Sequence, residues 1–218
     1  MGRETLLEIC ELFYSIQGES SYAGYPCFFI RFAGCNLRCT YCDTRYAYEG
    51  EHQVFSISRI LAELEKYPGV LVEITGGEPL LQKGVYPLFE QLLAAGRTVL
   101  LETNGSLSLK KVPGNIVKIM DMKCPGSSMH EKMNFDNFVF LDPKDEVKFV
   151  ISSREDYNWA AQLVSSYDLD NKATVTFSPV SSILPPAELA QWILADRLPV
   201  RLRLQLHTIL WPGRKKGF

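Results

Sequence analysis

Three cysteines, spaced Cys-x-x-x-Cys-x-x-Cys, place the strongest constraint on what this chain can form. Cys35, Cys39 and Cys42 lie within eight residues, in the run GCNLRCTYCDT. Three thiolates at this spacing can bind three irons of one cubic [4Fe–4S] cluster and leave the fourth iron open, whereas four thiolates are usual in electron transfer. The spacing therefore predicts an iron–sulfur cluster that binds and activates a small molecule.

A zinc site and a disulfide are the two alternatives to a cluster at these cysteines. A zinc site needs a fourth Cys or His at close spacing, and His52 follows Cys42 at an untypical interval of ten residues. A disulfide needs an oxidising compartment and usually a short secreted chain. The spacing favours the cluster over both alternatives.

The other three cysteines are not expected to be ligands. Cys10 and Cys27 fall in apolar, strand-like runs, where a free cysteine behaves as a small buried hydrophobe. Cys124 follows an Asp-x-Lys sequence and is either close to the site or a packing residue, with packing favoured.

Composition and charge narrow the class of protein. The chain has 218 residues, 46% hydrophobic and 22% charged, so we expect one domain over residues 1–218 with a proper core. A net charge of −2 argues against a broad nucleic-acid or membrane surface, and the basic cluster of Arg214, Lys215 and Lys216 is expected to be a solvated tail. No apolar run approaches the roughly 20 residues of a membrane span, and the first ten residues do not resemble an export signal. We therefore expect a cytoplasmic protein.

The chain alternates predicted strands with predicted helices, which implies a parallel sheet with right-handed crossovers. Pro87 breaks or restarts the second helix, Gly96 ends it, and a capping box from Ser153 to Asp156 begins the third. Since about six units fit where a closed barrel needs eight, we predict an α/β fold with an open, partial parallel βα barrel. The predicted strands are 27–32, 70–75, 98–103, 116–121, 146–151, 174–177 and 201–206, and the predicted helices are 58–66, 80–95, one from Ser153 and one from Pro186.

Polar or glycine-containing sequences follow nearly every predicted strand. In a parallel barrel the carboxyl ends of the strands share one face, and that face carries the chemistry. We therefore expect one site at this face, with substrate entering from the open side. Its candidate residues are the three cysteines, Gly76, Gly77, Glu78, Pro79, Asn104, Gly105, Asp121, Lys123, Ser178, Pro179 and His207.

The cysteine motif, followed one strand later by the sequence GGEP at residues 76–79, resembles the radical S-adenosylmethionine enzymes over about residues 27–125. The resemblance implies that the open iron chelates the amino and carboxylate groups of S-adenosylmethionine and that GGEP binds its methionine end. Glycines there permit close approach of the backbone to a ligand. We expect Gly77→Val to weaken cofactor binding and to leave the cluster assembled.

A narrower resemblance covers essentially the whole chain. The run FYSIQGESSYAGYPCFFIRFAGCNLRCTYCDT and the ending RLRLQLHTILWPG resemble the 7-carboxy-7-deazaguanine synthase family. The resemblance implies the substrate 6-carboxy-5,6,7,8-tetrahydropterin, a Mg²⁺ ion, a homodimer and a reductase such as flavodoxin or ferredoxin. It also implies a radical ring contraction that begins with removal of hydrogen from carbon 6 and ends with loss of ammonia, within deazapurine and queuosine biosynthesis.

The same resemblance assigns substrate contacts. It implies that backbone groups of Ile16, Gln17 and Gly18 pair with the edge of the pterin and that Thr75 contacts the substrate. A guanidinium can bind a carboxylate bidentately, so Arg31 is predicted to hold the substrate carboxylate, with a structural ion pair as the alternative.

Two further residues are candidates for catalysis. Glu19 either contacts ring nitrogens or caps a turn. His207 either transfers a proton or is a buried, hydrogen-bonded histidine.

Cofactor contacts follow from the resemblance in the same way. Thr44 supplies a hard oxygen for Mg²⁺, with substrate and water completing the shell. Many relatives have Ser-Pro-Lys where this chain has Asp121, Met122 and Lys123, and some have Gln-Pro in place of Ser178 and Pro179. The S-adenosylmethionine contacts implied by the resemblance are Tyr41, Asp43, Gly77, Asp121, Met122, Lys123, Ser178 and Pro179.

Two other functions are alternatives to this one. A glycyl-radical activating enzyme shares the cysteine motif and a small partial barrel, but the sequence SIQGES, Arg31 and the pair Asp43 and Thr44 argue against it. A non-enzymatic iron–sulfur or zinc module that docks partners is disfavoured by GGEP and by the row of motifs at strand ends.

Overall fold

A computed structural model describes residues 4–214, 216 and 217 of the chain. Lys215 of the basic cluster is outside the described residues. Among the described residues, no helix combines the length and the apolar character needed to span a membrane.

Nine strands of the described chain form one sheet, in the order β3-β1-β2-β4-β5-β6-β7-β8-β9. From β2 onward the neighbouring pairs are parallel, whereas β1 pairs antiparallel with both β2 and β3. The architecture is therefore α/β with a mostly parallel sheet, as expected. The strands are β1 (Leu6–Ile16), β2 (Pro26–Phe32), β3 (Gln53–Ser56), β4 (Leu71–Gly76), β5 (Val99–Thr103), β6 (Val117–Met122), β7 (Glu146–Ile151), β8 (Thr174–Pro179) and β9 (Arg201–Leu202).

Helices occupy only some of the crossovers between parallel strands. The connections from β5 to β6 and from β6 to β7 contain short 3₁₀ turns and no α-helix, so fewer complete βα units are present than predicted. The α-helices are α1 (Tyr46–Glu49), α2 (Ile57–Leu64), α3 (Val85–Ala94), α4 (Arg154–Tyr167), α5 (Pro186–Asp196) and α6 (Leu206–Leu210).

Two predicted elements differ from the structure. The helix expected over 80–95 is a 3₁₀ turn, Pro79–Leu81, followed by α3, which accommodates Pro87 in its first turn, where a missing backbone N–H costs little. The final strand expected over 201–206 is wrong beyond Leu202. The chain leaves the sheet there because Leu206 N donates to Gly18 O at 3.0 Å and α6 begins.

The inner face of the sheet is divided into an apolar base and a polar upper part. Side chains alternate along each strand, so Val117 and Ile119 share the inner face of β6 with Asp121. The two apolar residues pack with Leu100 of β5 and with Tyr22 from the β1–β2 connection. Ionisable residues lie further along the same strands, at the carboxyl ends, and this arrangement places the functional site there.

The buried carboxylate of Asp156 joins α4 to the loop that follows β6. Ser153 Oγ accepts from Asp156 N at 3.2 Å, which is half of the predicted capping box. The Asp156 carboxylate does not complete the box. It accepts instead from Ser152 N at 2.9 Å, Ser152 Oγ at 2.6 Å and Gly126 N at 2.7 Å.

We expect Asp156→Ala to lower the free energy of unfolding by about 2–4 kcal/mol, because three hydrogen bonds to a buried carboxylate are lost. Urea denaturation of the unliganded protein measures this loss. The exposed neighbour Glu155, in the same first turn of α4, is the control, and Glu155→Ala is expected to change stability by about 0.5 kcal/mol or less. An equal loss in both variants would contradict the role of Asp156.

Candidate active site

A cavity of about 680 Å³ opens at the carboxyl ends of the parallel strands. Its wall combines the cysteine loop after β2, the strand ends of β4 to β7, the turn after β1 and helix α6. It contains most of the residues predicted from the sequence: Ile16, Gln17, Gly18, Glu19, Arg31, Cys35, Cys39, Tyr41, Cys42, Asp43, Thr44, Thr75, Gly77, Asp121, Lys123 and His207.

The cysteine loop is braced by its own backbone and by neighbouring side chains. Leu37 N donates to Cys35 Sγ at 3.4 Å, and Asn104 Nδ2 approaches the same sulfur at 3.8 Å. The Arg38 guanidinium donates to the carbonyls of Cys35 and Leu37 at 2.8 and 2.7 Å and lies 4.1 Å from the centre of the Tyr48 ring. These contacts hold Cys35 at the cavity wall, which Cys39 and Cys42 also border.

The thiols themselves favour an iron cluster over the two alternatives. All six cysteines are free, so a disulfide has no support. Among the described residues, no three His, Cys, Asp or Glu side chains are grouped to hold a single metal ion, so a zinc site has no ligand set there. In a cubic cluster each thiolate binds a different iron. Burial raises the pKa of Cys39 to about 11, and a coordinated metal ion keeps a thiol ionised.

The two glycines of GGEP let the loop after β4 touch the cysteine loop. Gly76 has a φ of +136°, and a Cβ there would lie 2.3 Å from Phe32 O. A Cβ on Gly77 would lie 2.0 Å from Gly34 O and 2.9 Å from Cys35 Cβ. Backbone hydrogen bonds from Gly77 N to Phe32 O at 3.1 Å and from Glu78 N to Gly34 O at 2.8 Å hold the two loops together.

Glu78, the third residue of GGEP, is a buried structural acceptor. Its carboxylate accepts from Leu80 N at 3.0 Å, from Thr103 Oγ1 at 2.8–2.9 Å and from Asn104 N at 2.7 Å. Burial nevertheless raises the pKa of this carboxyl above its usual value. Glu78 therefore ties the end of β4 to the end of β5 beside the cysteine loop.

At the end of β6, Asp121 and Lys123 border the cavity. Lys123 Nζ donates to Asp121 Oδ2 at 2.8 Å, while Asp121 Oδ1 is buried and has no hydrogen-bond partner in the part of the chain that the structure describes. An unpaired buried oxygen at a cavity wall fits a ligand that brings a donor, such as a ribose hydroxyl.

Three predicted cofactor residues do not reach the cavity wall. Met122 points into the core, Ser178 Oγ donates to Arg203 O at 2.9 Å, and Pro179 is buried at the end of β8. Their side chains alternate away from the cavity or are occupied within the sheet, so in this structure they do not line the site as the resemblance implied.

Sequence reasoning missed a set of ionisable residues on the inner face. Glu73, Glu102 and Lys148 each interrupt an apolar strand, in VLVEIT, TVLLET and EVKFVI, and all three border the cavity. A charged residue inside an apolar strand is a signal that the sequence shows, and the same signal indicated Arg31 in CFFIRF.

Lys148 is the centre of this charged set. Its Nζ contacts Glu19 Oε2 at 3.0 Å, Glu102 Oε1 at 2.5 Å and Asp121 Oδ2 at 3.3 Å. Burial disfavours the ammonium, but the surrounding carboxylates outweigh burial and raise the pKa of Lys148 well above its usual value. Burial likewise opposes ionisation of Glu102, and Lys148 overcomes it to lower the pKa of that carboxyl. Lys148 and Glu102 are therefore both charged.

Arg31 forms the structural ion pair that was the alternative to a substrate role. Its Nε donates to Glu11 Oε1 at 2.7 Å across the β1–β2 pair, and Tyr46 Oη donates to the same oxygen at 2.8 Å. The Arg31 side chain also borders the cavity, so the ion pair and contact with a ligand are compatible.

Gln17 holds together the turn after β1, beside the cavity. Gln17 Oε1 accepts from Glu19 N and Ser20 N, both at 2.9 Å, and the backbone of Gln17 is hydrogen-bonded to Gly24 and Tyr25. The Gln17 groups expected to pair with a ligand thus hold the turn instead.

Helix α6 brings His207 to the same turn. His207 Nδ1 lies 3.6 Å from Glu19 Oε1, and Gln205 Nε2 donates to that oxygen at 2.9 Å. The tail is not simply solvated, since Lys216 Nζ lies 4.5 Å from the centre of the Tyr46 ring and Gly217 N donates to Glu11 Oε2 at 3.2 Å.

Residues 29–120 match the Radical SAM superfamily. A 7-carboxy-7-deazaguanine synthase of Koribacter versatilis is 44% identical, and the match covers 97% of this chain and 100% of the relative. The chain belongs to the 7-carboxy-7-deazaguanine synthase family. A second family member, from Chlorobaculum tepidum, is 42% identical over the full length of both chains. The crystal structure of QueE from Escherichia coli shares the fold, with a TM-score of 0.77, 23% identity and coverage of 93% and 95% of the two chains.

Membership of this family carries a [4Fe–4S] cluster and S-adenosylmethionine as cofactors. The geometry fits both groups. The only cysteines at the cavity wall among the described residues are Cys35, Cys39 and Cys42, and Asp121, whose Oδ1 is unpaired among those residues, borders the same space.

The close contact of the two loops corrects the expectation for Gly77. We predict that even Gly77→Ala displaces the cysteine loop, because the added Cβ overlaps Gly34 O and Cys35 Cβ. The variant should therefore hold much less iron and sulfide after anaerobic reconstitution, measured by chemical assay and visible absorbance. Gly114→Ala is the matched control, since a Cβ there meets nothing within 4 Å. A full cluster in Gly77→Ala would contradict this account.

Proposed function

We propose that this chain converts 6-carboxy-5,6,7,8-tetrahydropterin to 7-carboxy-7-deazaguanine by radical ring contraction with loss of ammonia. The observation that carries the proposal is one cavity that joins the three cysteines to a set of charged inner-face residues. A cluster loop alone fits any superfamily member, whereas a walled cavity with fixed charges suits a small polar substrate. The relatives named for this activity match over nearly the whole chain. A glycyl-radical activating enzyme and a non-enzymatic module are not favoured.

When bound, the cluster and S-adenosylmethionine supply the radical that removes hydrogen from carbon 6 of the substrate. The residues of the chain bind and orient. Arg31, with its charge partly balanced by Glu11, attracts the substrate carboxylate, and Thr75 Oγ1 lies in the same layer, since Arg31 and Thr75 are paired across β2 and β4. Lys148 stays protonated at Nζ and so acts as a cation, not as a base.

Proton transfer during ammonia loss is proposed for the pair of Glu19 and His207. The two side chains lie 3.6 Å apart and both border the cavity. A carboxylate can orient an imidazole for proton transfer. The remaining S-adenosylmethionine contacts are proposed for Tyr41, Asp43, Gly77, Asp121 and Lys123, which all border the cavity.

Three further features are proposed from the family resemblance. The enzyme works in the cytoplasm, assembles as a homodimer and receives electrons from a reductase such as flavodoxin or ferredoxin. Mg²⁺ is proposed to bind Thr44 Oγ1 together with the substrate carboxylate. In the structure this hydroxyl donates to Asp43 Oδ1 at 2.6 Å, so its lone pairs remain available to a cation.

The activity is tested by incubating anaerobically reconstituted protein with 6-carboxytetrahydropterin, S-adenosylmethionine and a reductant. Mass spectrometry should show 7-carboxy-7-deazaguanine in excess over consumed S-adenosylmethionine, because the cofactor is expected to be regenerated. Cys39→Ala should lose product and cluster iron, while Cys10→Ala, whose thiol is outside the cavity wall, should keep both. Unconverted pterin with a fully loaded cluster would overturn the proposed function.

The metal site is tested separately. Thr44→Ala removes the proposed protein oxygen, so turnover should fall and lose its dependence on added Mg²⁺, with iron content and S-adenosylmethionine affinity unchanged. Thr40→Ala is the control, because Thr40 Oγ1 donates to Gly126 O at 2.7 Å and is not in the cavity wall. Activation by Mg²⁺ equal to that of the parent would rule out the role of Thr44.

A further inference from the structure

Glu73 is a buried carboxyl group that borders the cavity with few partners of its own. It lies on the inner face of β4, two residues before Thr75, and is 2% exposed. Gln17 Nε2 donates to its Oε2 at 3.0 Å. Among the described residues, no other hydrogen bond to this carboxyl group is found.

Three other buried carboxylates of this fold accept more hydrogen bonds. Glu78, Glu146 and Asp156 each accept from three donor groups. An ionised carboxylate has about four lone-pair positions for hydrogen bonds, and buried ones are normally filled. Glu73 therefore has unused acceptor capacity at the cavity wall, which is what a ligand-binding carboxylate has before its ligand arrives.

The charges around Glu73 leave it without a counterion. The groups that face it are Cys27 on β2, Glu102 on β5, Glu19 in the turn after β1 and Lys148 on β7. Lys148 forms its ion pairs with Glu19, Glu102 and Asp121, and Glu73 is in none of the ion pairs found among the described residues. Burial, together with the charge of Glu102, raises the pKa of Glu73 to about 8. A ligand group that is positively charged or that donates hydrogen bonds is thus favoured at this position.

The strand register places Glu73 one layer below the residues assigned to the substrate carboxylate. Arg31 pairs with Thr75 across β2 and β4, and Phe29 pairs with Glu73. Two residues along a strand correspond to roughly 7 Å, which is comparable to the distance across a fused two-ring system. A ligand with its carboxylate at Arg31 therefore brings the opposite end of its rings to Glu73.

That opposite end of a pterin is its pyrimidine ring, whose 2-amino group and N3–H form a fork of two donors. Such a fork matches the two oxygens of a carboxylate, as in bidentate guanidinium pairs. We propose that Glu73 accepts hydrogen bonds from the 2-amino group and N3–H of the bound substrate and so selects a 2-amino over a 2-oxo pyrimidine ring. The assignment rests on the proposed function, because it takes the bound molecule to be a pterin.

Gln17 has a positioning role in this arrangement. Its Nε2 fixes one oxygen of Glu73, and its Oε1 is held by the backbone of Glu19 and Ser20. The carboxyl group therefore cannot rotate freely away from the cavity.

The selectivity is tested on holoenzyme loaded with cluster and S-adenosylmethionine, without reductant, so that ligands bind and do not react. The two probes are 6-carboxytetrahydropterin and its analogue with oxygen in place of the 2-amino group, measured by anaerobic calorimetry at about pH 8.5, above the pKa of Glu73. The parent should bind the 2-amino compound roughly ten- to a hundredfold more tightly. In Glu73→Gln the amide oxygen accepts from Gln17 and the amide nitrogen faces the cavity, so the preference should vanish or reverse. Glu146→Gln, at a buried carboxylate outside the cavity, should keep the preference of the parent.

A second measurement needs no variant. Burial and the charge of Glu102 raise the pKa of Glu73, and two donors from the ligand favour its ionised form. Binding of the 2-amino compound to the parent at pH 7 should then release protons, seen as different apparent heats in two buffers of different ionisation enthalpy. The 2-oxo analogue should release much less, because neutral Glu73 can donate to its oxygen. By the same linkage, affinity for the 2-amino compound should weaken as the pH falls below about 8.

Each outcome decides the proposal. Equal proton release with both ligands overturns the proposal. The proposal is also overturned if the Glu73→Gln variant folds, loads its cluster and keeps the selectivity of the parent. An equal loss of affinity for both ligands in Glu73→Gln shows a purely structural role. If the parent converts the pterin while any of these results holds, only the assignment of Glu73 fails. If the parent neither binds nor converts the pterin, the proposed function fails, and the assignment fails with it.

Discussion

The site depends on backbone contact between the loop after β2 and the loop after β4. Parallel pairing brings Phe32 opposite Gly76, and the hydrogen bonds from Gly77 N to Phe32 O and from Glu78 N to Gly34 O continue that pairing beyond the sheet. Side chains would prevent so close an approach, so glycine is required at both positions of the second loop. The cysteines and the loop of GGEP therefore form a single rigid unit, which suits a cofactor that must touch both.

Charge inside the sheet is the second organising feature. Each inner-face ionisable residue is costly to bury unless it is paired. Lys148 meets this requirement for Glu19, Glu102 and Asp121 at once, and Arg31 is paired with Glu11. Among the described residues, Glu73 and the Oδ1 atom of Asp121 are left incompletely satisfied, and both residues border the cavity. At these two residues of the cavity wall, a ligand can complete the hydrogen bonding that the fold leaves open.

Two segments far apart in the sequence, the turn after β1 and helix α6, pack together at the site. The turn after β1 fills the base of the inner face, and α6 covers that turn through hydrogen bonds from Leu206 N to Gly18 O and from Gln205 Nε2 to Glu19 Oε1. A Cβ on Gly18 would lie 3.3 Å from His207, so the two segments are in close contact. Residues nearly 190 positions apart in sequence thereby share one wall.

The sequence by itself determined the α/β class, most strands from β2 to β8, the cysteine loop and GGEP, because hydrophobic periodicity and short motifs are local signals. It did not determine how the last segment folds. Residues 203–206 have strand-forming composition, yet the contact of Leu206 with Gly18 removes them from the sheet. It also could not show that the crossovers on either side of β6 lack α-helices.

Only the tertiary structure decided which side chains face the cavity and which charges balance one another. Arg31 was noticeable in the sequence, but its partner Glu11 depends on the register of β1 against β2. Glu73, Glu102 and Lys148 come from three strands, and their charge states depend on distances that no single segment contains. Met122 adjoins a strand end as predicted but points into the core, because alternation along a strand determines side-chain direction. Ser178 is paired with the cavity residue Val150, but its Oγ is occupied by Arg203 O. Local sequence patterns therefore predict the secondary-structure elements and the motifs. Electrostatics and packing between distant segments determine how side chains are arranged in the site.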